Sequence, residues 1–294
     1  MMKFFDIFKK KKPTMNPFKK RKFKIGLALG GGGARGISHL GVIKAFEEFG
    51  LKFDVIAGTS VGSLVGAFWA SGLSFEQMNE IAKEIRKKDI KTNKIPFMTS
   101  STEGIEKIVI NSLGDIDIKD LKIPFAAVAV DIKTTEEVVI TKGNLAKAVA
   151  GSCCVPGIFQ PVEFEDMLLC DGGLQNTLPG NVPRLMGCDF VVSVDVNSAR
   201  IYGTESSKVL DVLSASIRTL MKSNVVKGYL NSDIVLQPNT KRFKSTKLDD
   251  YELMIEEGYN EALSKIPEIM KIFSSLKKKK KNIPNTDEKI NFLE

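Results

Sequence analysis

Residues 26–46 read GLALGGGGARGISHLGVIKAF: an apolar run, four glycines in a row, then apolar residues spaced by three and four. The first part, from residue 24 to 29, reads as a buried strand and the last part as an amphipathic helix. Four adjacent glycines give up a large amount of chain entropy on folding. A chain tolerates that where its backbone must come close to something. A glycine loop between strand and helix gathers backbone N–H groups at a helix N-terminus, a place that attracts anions. Three anions fit: a dinucleotide pyrophosphate, a nucleotide phosphate, and the transient oxyanion of acyl transfer.

GGGARG, residues 31–36, satisfies G-x-G-x-x-G formally. A dinucleotide site also wants an acidic residue at the far end of the second strand. That strand is FDVIAG, 53–58, and its acidic residue, Asp54, stands at the near end. No Lys-Ser or Lys-Thr pair follows the glycines, which removes a P-loop. The far end of the strand runs instead into GTSVG, 58–62, and then into the apolar helical pattern SLVGAFWASG, 63–72. G-x-S-x-G between a strand and a helix is the setting of a nucleophile elbow. Gly58 and Gly62 permit the tight turn, and Ser60 is projected outward above the sheet.

A serine hydroxyl needs a base beside it. The single histidine, His39, lies about a turn into the first helix, where its side chain tends away from the loop mouth, and it is read as structural. CDGG, 170–173, supplies a carboxylate instead: Asp171 at a strand end, followed by Gly172 and Gly173. Standing alone, Asp171 reads equally well as an Asp-Gly turn. An aspartate with a pKa near 3.9 is a poor base for a hydroxyl, but apolar neighbours such as Leu168, Leu169 and Cys170 raise its basicity by desolvation. Ser60 and Asp171 are both expected at exposed loop positions.

The three motifs GGGGARG, GTSVG and DGG, in this order, resemble the patatin-like phospholipase family over about residues 24–200. SCCVPGIFQPV, 152–162, is similar to that family's segment between nucleophile and aspartate. The resemblance implies an acyl hydrolase with a Ser60–Asp171 dyad and no catalytic histidine. It implies an oxyanion hole from the amides of Gly31, Gly32 and Gly33, with Arg35 in the family's basic loop position. It implies a lipid ester as substrate, phospholipid or lysophospholipid, and neither metal nor cofactor.

Further along, strands are expected at 124–132, 136–141, 166–173, 189–196 and briefly at 232–238. Helices are expected at 75–88, 145–150 and over the amphipathic 208–228. In 251–276, Pro267 is expected to kink the helix or start a second one. IPFMTSST, 95–102, reads as a loop. Alternation of strands and helices implies an α/β fold in three layers, a mostly parallel central sheet with helices on both faces.

The net charge of +8 is unevenly placed. Residues 1–24 carry ten Lys and Arg against one Asp. With the Lys277–Lys281 run and the acidic end of the chain set aside, residues 25–276 are net acidic. The expected organisation is a basic arm (1–24), one acyl hydrolase domain (25–276) and a lysine-rich tail (277–294). Basic residues confined to appendages argue against nucleic-acid binding, which places them on the folded surface. Met1, Phe4, Phe5 and Phe8 fall at helical spacing among lysines, a composition suited to the surface of an anionic membrane. Cys153, Cys154, Cys170 and Cys188 show no metal-ligand spacing and read as buried thiols. No run of 18 apolar residues occurs, and the first residues lack the apolar core of a signal peptide. The expected location is cytoplasmic, peripheral on the inner membrane surface.

Overall fold

The computed structural model describes residues 23–92, 102–198, 207–245 and 247–279. The expected arm (all but Phe23 and Lys24), most of the 95–102 loop and residues 280–294 lie outside these.

Strand β1 (Ile25–Leu29) pairs in parallel with β2 (Val55–Thr59) on one side and with β7 (Phe190–Val194) on the other. β2 continues in parallel to β3 (Phe125–Asp131), and β7 to β8 (Ile234–Leu236). These strands are apolar nearly throughout, as strands covered on both faces must be. Three antiparallel strands complete the sheet: β4 (Glu136–Ile140) and β6 (Met167–Asp171) on β3, and β5 (Val162–Phe164) on β6.

Alternate residues of the strands enter different cores. Ile56, Phe125, Ala127 and Ala129 join the main core, whereas Ala57, Ala126 and Val128 pack with Val182 of the short helix α6 (Asn181–Leu185). Helices α1 (Ser38–Glu48), α2 (Val61–Ala70), α3 (Phe75–Thr92), α4 (Glu103–Leu113) and α5 (Leu145–Ser152) contribute to the main core. The expected amphipathic stretch is two helices, α7 (Val209–Ser223) and α8 (Val225–Leu230).

Residues 251–276 form part of one helix, α9 (Tyr251–Lys279), with Pro267 inside it rather than at the start of a second. That helix crosses α1 at close range. A Cβ on Gly41 would stand 1.9 Å from the Ile255 carbonyl oxygen, and one on Gly258 1.9 Å from that of Ser38. Helix α4 and strand β5 have no counterpart among the elements expected from sequence. The Glu103–Leu113 segment carries two fully buried residues, Ile105 and Val109, one turn apart, a pattern too short to stand out from its polar neighbours.

Candidate active site

The sheet register brings Ser60 and Asp171 together. β4 occupies one edge of β3 from Ala127 to Asp131. β2 and β6 therefore share the other edge, β2 alongside Phe125–Val128 and β6 alongside Ala129–Asp131. They run in opposite directions, so their C-terminal ends meet: Thr59 lies opposite Val128, and Asp171 opposite the next residue, Ala129. Ser60 follows Thr59 directly, so the nucleophile turn and the carboxylate converge at one level of the sheet.

Ser60 has φ 53° and ψ −132°, one of three non-glycine residues with positive φ among the described residues. Such a backbone costs about 1–3 kcal/mol and persists only where its surroundings over-determine it. Those surroundings are visible. The Ser60 amide donates to Ser152 Oγ at 2.9 Å, and Ser152 Oγ in turn donates to the Val128 carbonyl at 2.6 Å. The Ser60 carbonyl accepts from Ser63 N at 2.7 Å and opens helix α2. The flanking glycines are required by contact. A Cβ on Gly58 would stand 2.3 Å from the Gly62 oxygen, and one on Gly62 2.1 Å from the Leu29 oxygen.

Asp171 is fully buried, contrary to the exposed position expected, and Ser60 is only 8% exposed. The reason is the head-on meeting of β2 and β6, which places the carboxyl behind Ser60, inside the sheet edge. Asp171 Oδ1 accepts from the Gly173 amide at 2.8 Å. Burial pushes its pKa up to about 6, against the lowering effects of the Gly173 amide and the Ser60 hydroxyl. Oδ2 is buried without a hydrogen bond of ordinary geometry, so Ser60 lies near it without a closed bond. Catalytic hydrogen bonds are commonly this loose before substrate arrives. A Cβ on Gly172 would stand 2.2 Å from the Val128 oxygen, and one on Gly173 2.2 Å from Met221 Cε of α7.

The glycine loop lies against Ser60: a Cβ on Gly31 would stand 3.2 Å from that of Ser60. Its amides do not all remain available. Gly30 N donates to Val194 O at 3.0 Å and Gly31 N to Thr177 O at 2.9 Å. Gly31 was expected as an oxyanion donor, and this bond to a carbonyl of the segment after β6 commits it to the fold. Among the described residues the amides of Gly32 and Gly33 have no protein acceptor. Gly33 has φ 56°, and a Cβ there would strike the Ser245 oxygen at 2.4 Å. A short 3₁₀ turn (Gly33–Ile37) then leads into α1.

His39 is fully buried, and its Nε2 lies 2.9 Å from Gly30 O. A carbonyl only accepts, so Nε2 carries a proton. Burial pushes its pKa down to about 4, the Gly30 bond opposing. His39 thus holds the glycine loop from behind. Arg35 is fully buried too and donates to Asn197 Oδ1. Ser152 and Asn197 are structural partners of the site that the motifs do not name; only their place in SCCVPG and just after the DFVVSVDV strand pointed toward them.

In front of Ser60 lies an apolar pocket of about 170 Å³. Gly33, Ala34, Val61, Leu64, Phe68 and Met78 of α3 are among the residues that line it. Cys153 also lines it, its thiol raised far above the usual range by burial and by the nearby Asp171 charge. All four cysteines are buried free thiols. No cluster of metal-ligating side chains occurs among the described residues.

The Patatin-like phospholipase family model matches residues 27–182, more than half of the chain and all three motifs. The chain belongs to the patatin-like phospholipase family. Neuropathy target esterase sws of Drosophila melanogaster is 36% identical over 184 residues, covering 59% of this chain and 13% of that protein. The Drosophila persimilis protein of the same name is 37% identical over 166 residues, 53% of this chain and 12% of that one. The chain thus spans about an eighth of the length of these relatives.

Solved structures share the patatin-like fold at low identity. VipD from Legionella pneumophila superposes with a TM-score of 0.54 at 14% identity, covering 87% of this chain and 67% of that one. Human GIVD cytosolic phospholipase A2, in complex with methyl gamma-linolenyl fluorophosphonate inhibitor, gives 0.52 at 11%, covering 87% and 59%.

Proposed function

We propose that this patatin-like phospholipase is a serine acyl hydrolase of phospholipid or lysophospholipid esters, working through a Ser60–Asp171 dyad. The observation that carries the reading is the meeting of two strand ends. It sets a strained serine at the mouth of an apolar pocket and a desolvated carboxylate behind it.

The acyl chain enters the pocket and its ester carbonyl meets Ser60 Oγ. Asp171 accepts the hydroxyl proton as Oγ bonds to the carbonyl carbon. With a pKa near 6, the carboxylate is ionised at neutral pH yet more basic than an ordinary aspartate. The carbonyl electron pair becomes an oxyanion, held by the amides of Gly32 and Gly33. Collapse expels the alcohol, which takes the proton from Asp171, and leaves acyl-Ser60. Water, deprotonated by Asp171, then releases the fatty acid. Gly58, Gly62, Gly172 and Gly173 keep the two turns close, and the chain's own residues suffice without metal or cofactor.

The basic arm 1–24 complements this chemistry by holding the enzyme at an anionic membrane surface, on the cytoplasmic side. No helix among the described residues is long and apolar enough to cross a membrane. A fluorophosphonate probe tests the central claim. Wild-type protein is expected to be labelled at Ser60, and Ser60→Ala to lose both labelling and lipid hydrolysis. Labelling elsewhere, or hydrolysis surviving in Ser60→Ala, refutes the dyad.

A further inference from the structure

Two side chains, the fully buried His39 and the half-buried Asn197, take carbonyls of the glycine loop. His39 takes Gly30 O, and Asn197, just beyond β7, takes Gly31 O through Nδ2 at 2.5 Å. Arg35 donates to Asn197 Oδ1 at 2.5 Å. A guanidinium has no acceptor. Oδ1 must therefore face Arg35, and Nδ2 must face Gly31, so the amide orientation is determined by chemistry. The Asn197 amide N–H donates to Asp195 Oδ1 at 2.8 Å, and Tyr229 donates to Asp195 Oδ2 at 2.7 Å. Asn197 is thus fixed from both sides before it touches the loop.

The consequence follows from peptide planarity. In a trans peptide the C=O of one residue and the N–H of the next point in opposite directions. Asn197 pulls the Gly31 carbonyl toward the end of β7. The Gly32 N–H must then point away from β7, to the side where Gly31 abuts Ser60. A Cβ on Gly32 would stand 2.3 Å from Val196 Cγ2 and 3.4 Å from Asn197 Nδ2, so Gly32 itself rests on this same support.

We propose that Asn197 is a positioning residue for the oxyanion hole, aiming the Gly32 amide at the tetrahedral intermediate formed on Ser60, with Arg35 fixing the orientation of its side-chain amide. This rests on the hydrolase reading above. It also gives the buried Arg35 a role that needs no contact with substrate. Without the Asn197 donor, the Gly31–Gly32 peptide is free to rotate and the Gly32 donor is misdirected. Full removal of one oxyanion donor costs about 10²–10³ in kcat, so misdirection is expected to cost about 10–10².

The test compares Asn197→Asp and Asn197→Leu, both close to asparagine in size, with wild type on a soluble short-chain ester. Each is expected to lower kcat about 10- to 100-fold with KM changed less than about threefold. A trifluoromethyl ketone reports on the intermediate directly. Ser60 Oγ adds to its carbonyl carbon, the hydroxyl proton passes to Asp171, and the carbonyl pair becomes the oxyanion. Its inhibition constant is expected to weaken by the same factor as kcat, while binding of a fatty acid, which fills the pocket without forming that adduct, stays unchanged. Both variants retaining kcat within twofold of wild type overturns the proposal. So does parallel weakening of ketone and fatty acid, or failure of both variants to fold, since either makes Asn197 structural only. Failure of the hydrolase reading is distinguishable: there, wild-type protein itself neither turns over ester nor reacts at Ser60.

Discussion

Replacing Asp171 by asparagine is expected to stabilise the protein while abolishing its activity, and to do so only above a certain pH. Asp171 is fully buried, and burial lifts its pKa from 3.8 to about 6. Between these values the folded state holds a proton that the unfolded chain has released. Stability contributed by this residue therefore falls as pH rises from about 4 to 6, then levels off. A difference of roughly two pKa units corresponds to about 3 kcal/mol at neutral pH. The substituted asparagine has no charge to desolvate. Its Oδ1 keeps the Gly173 amide as donor, and its Nδ2 replaces an oxygen that already lacks a hydrogen bond of ordinary geometry. The gain of Asp171→Asn over wild type is expected to be near zero at pH 4 and about 3 kcal/mol at pH 7.5. For a chain of this size that is a rise in Tm of about 6 °C at the higher pH. Urea titrations followed by circular dichroism at pH 4, 5, 6 and 7.5 measure it, and ester hydrolysis in the same samples is expected to fall by at least about 10². A stability difference that does not vary with pH, or a variant less stable than wild type at pH 7.5, refutes the claim that Asp171 is held against its own desolvation.

Because the dyad works only with Asp171 ionised, kcat/KM is expected to rise with pH through an apparent pKa near 6; a profile flat from pH 5 to 8 assigns the base elsewhere. Phe68 lines the apolar pocket in front of Ser60. Truncating it enlarges that pocket, so Phe68→Ala is expected to shift hydrolysis across a series of acyl esters toward longer chains; identical profiles show that Phe68 does not bound the acyl chain. Deleting residues 1–22 is expected to leave hydrolysis of a soluble ester unchanged but to weaken co-sedimentation with anionic vesicles, most at low salt, because exposed charges act over a Debye length of only about 8 Å at physiological ionic strength. Equal sedimentation of both forms at low salt removes the arm from membrane binding.

The separation of sequence from structure is clearest around Ser60. GTSVG after an apolar strand and before an apolar helix already demands a tight turn, because both demands are local: glycines for clearance and a strand-to-helix change of period. The parallel strands β1, β2, β3 and β7 are equally legible, since burial on both faces keeps them apolar nearly throughout. The glycine loop, too, announces a close approach of backbone, and a Cβ on Gly31 would indeed come within 3.2 Å of that of Ser60.

What the sequence left open is the pairing of distant segments. That β6 enters from the far side and meets β2 end to end depends on β4 having taken the other edge of β3, 136–140 pairing with 127–131. Nothing local to DGG encodes that: the apolar neighbours Leu168, Leu169 and Cys170 point to a desolvated carboxyl, but not to its complete burial against β2. The same holds for the Gly31 amide. Its residue type suits an oxyanion donor, but its partner is the Thr177 carbonyl, 146 positions away in the chain. Ser152 and Asn197 are ordinary polar residues in sequence. They acquire their roles because the sheet brings one beneath the Ser60 amide and the other behind the Gly31 carbonyl. Residue type and local spacing determine which groups are chemically able to act; only tertiary pairing, which brings distant segments together and excludes water from between them, decides which do.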